Sequence, residues 1–493
     1  MIGDIMTSLW AILPVIVLAL WACVLLLVDL WLPKDQQGSQ QGESNSPITP
    51  LLAALGMLTS AAIVIARIGQ PTMGFGGMMM ADGFSHFICL LLLASGLVTI
   101  GLSHDYMKRL GIARGEYYVL LMFSLSGMML MSMSADLIMV FLSLELLSIP
   151  LYVMAGIATP RPSSEEAALK YFLLGAFASG FLVYGIGLVF GATGSTSLQQ
   201  IVAVVQSGNY NLALILGGAA LIITGLGFKV AIVPFHMWTP DAYQGAPSAV
   251  TAFMSVGAKT AGFAALLRVF VLAFPAFSAD ITPVLWGLAA LTMVLGNFAA
   301  IAQRNIKRLL AYSSIAHAGY IMMALVPYGQ DGLSADSVAS ALFYLVAYAF
   351  TNFAAWAVVI ALEQAGEKGL ELQDYAGLGR KHPALAAVMA VAMLSFTGVP
   401  PTLGFVGKFY LFRTVLEGGH VGLALIGVLT SLVSAFYYLR VIVVMYMQEG
   451  EPEARREPWL QAMAYGSAIG VVALSIFSAP LLFLASQAVL KLF

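Results

Sequence analysis

Four ionisable side chains lie inside long apolar segments of this sequence. Glu145 stands in FLSLELLSIPLY and Lys259 in SVGAKTAGF, each near the middle of an apolar run. Lys229 and Lys408 stand beside prolines that interrupt two further runs. If these runs cross a bilayer, each mid-bilayer charge costs at least ~2.5–3.5 kcal/mol on insertion scales. Such residues face protein or a water-filled cavity and indicate an ion or proton pathway.

Two interpretations of these four residues are open. In the structural one, they form ion pairs that join helices, but one glutamate cannot pair with three lysines. Burial favours a neutral lysine, whereas a nearby carboxylate favours a charged one. A lysine between those influences gains or loses a proton as its neighbour moves, and this property favours a proton relay over a fixed brace.

Three further residues are candidates for the same relay. His236 in PFHMW and His317 in SIAHAGY lie in or near apolar runs, and imidazole exchanges protons near neutral pH. A packing histidine is the alternative for each. Lys170 follows Glu166 by four residues at the start of an apolar run, so an exposed ion pair is as good an interpretation as a relay role.

The elements that must position these residues are membrane-spanning helices. The chain has 493 residues, of which 60% are hydrophobic and 9% charged, with a mean hydropathy of +0.92. Soluble domains carry about 25% charge. The unbroken apolar runs lack the period-two alternation of a transmembrane barrel. We therefore predict an all-α polytopic membrane protein in contact with the lipid bilayer, and we expect no nucleic-acid partner.

About fourteen helices are predicted to cross the bilayer, since a span needs about 20 apolar residues. Numbered in chain order, the predicted spans are 8–31, 48–67, 84–103, 117–134, 136–157, 167–191, 212–234, 246–273, 281–302, 308–327, 337–362, 384–412, 421–447 and 459–488. The polar, low-complexity segment 33–50 is predicted to be a linker.

The basic residues of the connections predict the orientation. The loops after odd-numbered spans hold Lys34, Lys108, Arg109, Arg114, Arg161, Arg304, Lys307, Arg308, Lys368, Arg380, Lys381, Arg455 and Arg456. The other side holds only Arg67, Arg413 and Lys491. Because basic loops stay in the cytoplasm, both termini are predicted to face the periplasm.

Prolines interrupt two of the predicted spans. Pro234 and Pro240 break the seventh, and Pro400 and Pro401 break the twelfth. A mid-helix proline removes a backbone hydrogen bond, and in hydrocarbon the freed carbonyls need partners or water. Broken helices at corresponding places in two halves indicate an inverted repeat. The offset of five spans predicts two five-helix repeats, spans 4–8 and 9–13, in opposite orientations.

This repeat divides the chain into four predicted parts. An N-terminal three-helix segment takes residues 1–115, and the first repeat takes 116–273. The second repeat takes 281–447, and a C-terminal helix lies within 448–493.

Three stretches resemble the antiporter-like membrane subunits of respiratory complex I. They are LGFKVAIVPFHMWTPDAYQGAPSAVTAFMSVGAKTAGF, NIKRLLAYSSIAHAGY and GVPPTLGFVGKFY. The resemblance implies a fourteen-helix fold with inverted repeats and a role in proton translocation. Lys408, where the subunit M pattern has a glutamate, resembles the subunit N branch of this family. So does the end of the chain soon after the fourteenth span, without the long lateral helix of subunit L.

The resemblance also implies a role for each candidate residue. Glu145 and Lys229 would form a modulating pair, and a change in that pairing would shift the proton affinity of the lysine. Lys259 would pass the proton centrally, with His317 as a bridge. Lys408 would connect the path to the outer face.

The implied function is that of one subunit of a proton-translocating NADH:quinone oxidoreductase in the bacterial inner membrane. Its neighbours would be subunit M and small subunits of the K type. The sequence has no Gly-rich nucleotide fingerprint and no cysteine cluster, so FMN, iron–sulfur clusters and quinone are expected on other subunits and no cofactor on this chain. Two alternatives are a subunit of an Mrp-type sodium/proton antiporter, whose sodium site would need clustered carboxylates or carbonyls, and a passive scaffold.

Overall fold

The computed structural model describes residues 2–31, 48–330, 332–364, 366, 368–488 and 490. These residues are mostly helical, and the predicted all-α membrane fold is confirmed. A small antiparallel hairpin, β1 (Thr72–Gly74) and β2 (Met79–Ala81), was not predicted. Lys34, Lys491 and most of the predicted linker lie outside the described residues, while residues 48–50 already belong to a helix.

The helices follow the predicted spans closely. The first part of the chain forms α1 (Ile2–Ala11), α2 (Leu13–Asp29), α3 (Ile48–Ala66), α4 (Gly83–Arg109), α5 (Gly115–Met133), α6 (Leu137–Ala155), α7 (Pro162–Thr193), α8 (Leu198–Ser207), α9 (Leu212–Val230), α10 (Trp238–Gly245), α11 (Ser248–Phe253) and α12 (Lys259–Ala273). The second part forms α13 (Ser278–Ile301), α14 (Ile306–Leu325), α15 (Ser334–Leu362), α16 (Leu378–Lys381), α17 (Pro383–Thr397), α18 (Leu403–Glu417), α19 (Val421–Met447), α20 (Pro458–Ile476) and α21 (Ser478–Gln487).

Within the described residues, eleven helices are long and apolar enough to cross a membrane. A twelfth is added if the bent pair α1 and α2 counts as one span. The predicted tenth span (α14) and twelfth span (α17 with α18) are not among them. The figure of fourteen therefore stays a prediction, although a helix or a consecutive pair of helices lies at every predicted position.

Three details differ from the predicted spans. The first predicted span consists of two helices, α1 and α2, that meet at 72°. Pro14, in the first turn of α2, lacks the amide hydrogen that would continue α1. The last is also divided, into α20 and α21, with Pro480 in the first turn of α21. A short extra helix, α8, lies in the predicted connection between the sixth and seventh spans.

Two helical columns form the interior. The stretch Ser248–Ala273, which joins α11 and α12 through a π-helical turn, is completely buried, and nearly all residues of the most apolar part of α15 are buried. By contrast, only a third of the residues in the most apolar part of α7 are buried, so α7 lies at the periphery. A polar group on either buried column is therefore enclosed by protein.

The connections after the odd-numbered spans gather on one face. Lys381 and Glu451 pair there at 2.7 Å, and Arg109 pairs with Glu457. We call this the basic face, formed by residues 110–114, 156–161, 302–305, 368–382 and 448–457. Its contacts agree with the grouping on which the predicted orientation depends.

Candidate functional site

The seventh span is broken as predicted. Helix α9 ends at Val230, Ala231 adopts a left-handed conformation with φ of 62°, and α10 begins at Trp238. The indole nitrogen of Trp238 donates to the carbonyl of Phe228 at 2.9 Å. The Phe228 carbonyl accepts this hydrogen bond in addition to one from the Ala231 amide at 3.1 Å, so Trp238 ties α10 to the last turn of α9.

Lys229 lies in the last turn of α9, directly before this break. It is 3% exposed, and its Nζ donates to Ser148 Oγ at 2.8 Å and to the Tyr171 hydroxyl at 2.9 Å. Tyr171 is itself fixed by stacking on Trp238, with ring centroids 4.4 Å apart. The break therefore supplies a side chain that positions one partner of the lysine.

Glu145 lies on α6, where its carboxylate accepts a hydrogen bond from Ser179 at 2.5 Å. It is half-buried and lines an open groove of about 580 Å³ between α6 and α7. Ser148, the partner of Lys229, is one helical turn further along α6. Among the described contacts no ion pair joins Glu145 to Lys229; a serine on the same helix separates them.

The twelfth span is also broken, and here the break itself binds a lysine. Helix α17 ends at Thr397, and Gly398 follows with φ of 89°. Lys408 Nζ donates to the carbonyls of Phe396 at 2.8 Å and Thr397 at 3.0 Å, and to Ser431 Oγ at 2.7 Å. The carbonyls freed at the end of α17 are therefore ligands for a buried ammonium group.

Lys259 follows the π-helical turn Met254–Ala258, a feature often found at functional sites. It is 2% exposed, and its Nζ donates to both oxygens of Ser314, the hydroxyl at 2.6 Å. The Tyr348 hydroxyl donates to the same serine hydroxyl at 2.9 Å. Lys259 thus ends in a small hydroxyl network, without a carboxylate.

His317 connects the surroundings of two of the lysines. It lies on α14, three residues after Ser314 and three before Tyr320, whose ring centroid is 4.7 Å from Lys408 Nζ. Its Nδ1 bonds the Tyr344 hydroxyl at 2.6 Å, and its Nε2 bonds the Tyr438 hydroxyl at 3.1 Å. Helix α14 therefore carries, at intervals of three residues, a partner of Lys259 (Ser314), the imidazole of His317 and a ring in contact with Lys408 (Tyr320).

In the part of the chain that the structure describes, no carboxylate lies within ion-pair distance of Lys229, Lys259 or Lys408. Their partners are hydroxyl groups and peptide carbonyls. The interpretation of these lysines as structural ion pairs therefore has no support in the geometry.

The two weaker candidates lie apart from this network. His236 is half-buried within the first break, and its Nδ1 is buried without a hydrogen-bond partner. Lys170 is 42% exposed and pairs with Glu166 at 2.6 Å and with Asp241 at 2.8 Å. For Lys170 this is the exposed ion-pair arrangement that the sequence left open.

The sequence interpretation missed two sets of residues. One is a fully buried ion pair, in which Arg268 binds Asp82 in bidentate fashion at 2.8 and 3.1 Å. The spacing of Asp82 and Ser85 fits a helix cap and was the available signal. The other is the set of tyrosines around the lysines, which are indistinguishable in sequence from aromatic residues that pack or face lipid.

A metal centre finds no support here. Within the described ranges, no group of three or more His, Cys, Asp and Glu side chains is placed to hold a metal ion.

The fold and the site together define the class of protein. A family model described as "NADH:quinone oxidoreductase/Mrp antiporter, TM" matches residues 134–434, which include both breaks and all three buried lysines. The chain is 46% identical to NADH-quinone oxidoreductase subunit N of Chloroflexus aggregans over 484 residues, covering 97% of this chain and 96% of that one. The chain therefore belongs to the subunit N family of NADH-quinone oxidoreductases, and the resemblance seen in the sequence is confirmed.

Solved structures agree with this assignment. A chain of respiratory complex I from Thermus thermophilus with bound aureothin is 36% identical, with a TM-score of 0.81 over 96% of this chain and 99% of that one. A chain of the Mrp complex from Dietzia sp. DQ12-45-1b has a TM-score of 0.85 over 98% of this chain and 97% of that one, but is 20% identical. The second likeness concerns the fold alone.

Proposed function

We propose that this chain is a proton-translocating membrane-arm subunit of a bacterial NADH:quinone oxidoreductase. The observation that carries the proposal is that Lys229, Lys259 and Lys408 are buried among neutral oxygen atoms. An ammonium held in this way can release its proton without leaving an unpaired carboxylate in a low-dielectric interior, a state that is costly. A lysine that must exchange protons needs such surroundings.

The packing supports an order of transfer. The side chain of Lys229 lies beside Gly262, where a Cβ atom would be 3.7 Å from the lysine Cβ, and Gly262 is one turn beyond Lys259 on α12. From Lys259 the path continues through Ser314 to His317. It ends at Lys408, so the proton moves from the first predicted repeat to the second.

Glu145 has a modulating role in this proposal. Its carboxylate acts on Lys229 across one turn of α6, with Ser148 between them. His236 and Lys170 are peripheral members, since no described hydrogen bond joins either side chain to the three lysines.

The remaining chemistry belongs to other subunits. We propose that FMN, iron–sulfur clusters and quinone are bound elsewhere in the complex, and that subunit M and a small subunit of the K type are the neighbours. The chain would lie in the inner membrane, with both termini on the periplasmic side. An Mrp-type antiporter is the alternative, and the identity of 46% to a subunit N, against 20% to the chain of the Mrp complex, favours the oxidoreductase.

Replacement of Lys259 by alanine tests the proposal. We expect the variant complex to assemble but to lose proton pumping in liposomes, measured as NADH-driven quenching of a pH-sensitive dye. Lys368→Ala, an exposed lysine of the basic face, is the control. Normal pumping by an assembled Lys259→Ala complex would contradict the relay and favour the passive scaffold. Co-purification with flavin and iron–sulfur proteins would separate complex I from an antiporter assembly.

A further inference from the structure

A buried carboxylate outside the lysine site lies at the basic-face end of α15. Glu363 is 0% exposed, and its Oε2 accepts hydrogen bonds from the Tyr106 hydroxyl at 2.9 Å and from Ser248 Oγ at 2.5 Å. Its Oε1 is buried and accepts no hydrogen bond, although Arg161 Nη2 is 3.7 Å away. Because buried polar atoms nearly always have hydrogen-bond partners, an oxygen held only by a long ion pair with Arg161 still has the capacity to accept a hydrogen bond or a proton.

Solvent comes close to this carboxylate. Arg161, Ser163 and Gly366 line a cleft of about 660 Å³ on the basic face, and Arg161 forms the contact between that cleft and Glu363. The hydroxyl of Tyr375 is also buried without a partner. Burial, and after it the negative charge of Glu363, raises the pKa of Tyr375 well above its usual value. Glu363 Oε1 and the Tyr375 hydroxyl thus both belong to the basic-face side of the molecule, and both lack a hydrogen bond.

A stripe of hydroxyl groups leads from Glu363 towards Lys259. Ser248, Thr251, Ser255 and Lys259 follow one another at intervals of three, four and four residues, so they share one face of the completely buried column. We call the first three the hydroxyl stripe. At 1.5 Å per residue, about 16 Å separate Ser248, where the stripe begins, from Lys259.

The neighbouring column continues the same polar path. Asn352 on α15 donates to Ser255 Oγ at 2.5 Å, at the end of the stripe nearest to Lys259. One turn earlier on α15, Tyr348 donates to Ser314, the partner of Lys259. Successive groups on one helix face are about 5–6 Å apart, a separation that one bridging water molecule can close with two hydrogen bonds.

A purely structural role for the hydroxyl stripe does not explain its arrangement. The hydroxyl of Thr251 donates to the carbonyls of Tyr243 and Pro247, and that of Ser255 donates to Ala252, so each has its own backbone partner. Those bonds do not require the hydroxyls to share a face. Nor do they require a buried carboxylate at one end of that face and a buried lysine at the other.

We propose that Glu363 is a proton-uptake group that feeds Lys259 along the hydroxyl stripe, in addition to the transfer from Lys229; this rests on the proposed function. A hydronium ion in the cleft gives its proton to the carboxylate and leaves as water. The carboxylic acid then returns to carboxylate as each hydroxyl accepts a proton on one side and gives one up on the other. The last proton converts neutral Lys259 into ammonium.

The test uses the whole complex in liposomes. We expect Glu363→Gln to reduce the proton-pumping rate by ~10-fold or more, since a positioned acid–base group contributes at least that much. Glu363→Asp should keep part of the rate and move its pH profile, which a purely structural carboxylate would not do. The control is Glu453→Gln, an exposed carboxylate on the same face. Equal pumping by Glu363→Gln and Glu453→Gln would overturn the proposal.

Thr251→Val decides the matter if Glu363→Gln does not assemble. Valine keeps the volume and removes the hydroxyl, and Thr260→Val is the matched buried control on the same column. We expect slower pumping only for Thr251→Val, and equal pumping by the two variants would overturn the proposal.

Lys259→Ala belongs in the same series of variants. If it loses pumping while Glu363→Gln pumps normally, only the uptake role of Glu363 fails. If Lys259→Ala pumps normally, the proposed function itself fails.

Discussion

At the scale of single residues, burial was readable from the sequence and partners were not. The apolar runs around Lys229, Lys259 and Lys408 predicted that each lysine is enclosed, and all three are. Their partners come from residues far away in sequence, such as Ser314 for Lys259. A serine in an apolar run carries no sign of which lysine it will meet, so only the folded chain shows these contacts.

The ion pair of Asp82 and Arg268 gives a prediction on stability. Replacement of Asp82 by alanine leaves a fully buried guanidinium without its carboxylate, and we expect a loss of about 3–5 kcal/mol in the free energy of unfolding. Thermal unfolding of the purified complex measures it. Glu417→Ala, which breaks the exposed pair with Arg413, is the control and should change little. If the two variants unfold at the same temperature, the buried pair of Asp82 and Arg268 does not contribute substantially to stability.

At the scale of elements, prolines predicted the two broken helices, and the breaks are where expected. What the prolines did not show is how differently the breaks work. At the end of α9 a tryptophan donates to a carbonyl of the last turn, whereas at the end of α17 two carbonyls bind Lys408 directly. The hairpin and α8 were missed because short elements at the ends of spans lack long periodic patterns.

The second break yields a prediction for Gly398→Ala. Its φ of +89° is strained for alanine, and the added Cβ would lie 3.1 Å from Lys408 Cδ. We expect the lysine to move away from the carbonyls and pumping to fall. Gly419→Ala is the control, with φ of +76° and no atom within 4 Å, so it carries the strain without the contact. Equal pumping by the two variants would show that the carbonyl contacts are dispensable.

The segment 448–457 should dock on the other segments of the basic face in a pH-dependent way. Burial, then Arg456 and Lys381, lower the pKa of His382 below 6.5. The docked state therefore disfavours the protonated imidazole, so docking is complete above pH 6.5 and weakens as pH falls below it. The pKa of Glu451 is lowered by Lys381, so this carboxylate stays ionised in that window.

Hydrogen exchange at the Arg455 amide, which donates to Ala361 at 2.9 Å, measures this docking. After correction for intrinsic rates, we expect faster exchange at pH 5.5 than at pH 7.5. His382→Gln should remove the difference. An unchanged pH response in that variant would assign the effect to another group.

At the scale of the whole molecule, hydropathy located the helices but not their depth. The span at Ser248–Ala273 and α15 are as apolar as the peripheral helices, yet they form the interior. A single sequence leaves the same residues compatible with contact to lipid or to a neighbouring subunit.

The predicted orientation can be tested by cysteine labelling of the intact complex in spheroplasts. In a Cys23→Ser background, which removes the exposed native thiol, we expect Ser207→Cys to react with a membrane-impermeant maleimide from outside. Gln373→Cys, exposed on the basic face, should react only after permeabilisation. The opposite pattern would reverse the assigned sides.

The carbonyl ligands of Lys408 have an electrostatic consequence. Peptide dipoles attract an ammonium group but do not cancel its charge, so a protonated Lys408 projects a positive potential through its surroundings. Ser314, which binds Lys259, and Tyr320, whose ring is 4.7 Å from Lys408 Nζ, are six residues apart on α14, a rise of about 9 Å. At an effective dielectric constant of 20, two unit charges about 10 Å apart repel by roughly 1.7 kcal/mol. Protonation of Lys259 and Lys408 at the same time is therefore unfavourable. Protons are expected to pass one at a time, and the arrival of a proton at Lys259 favours release of the proton held by Lys408.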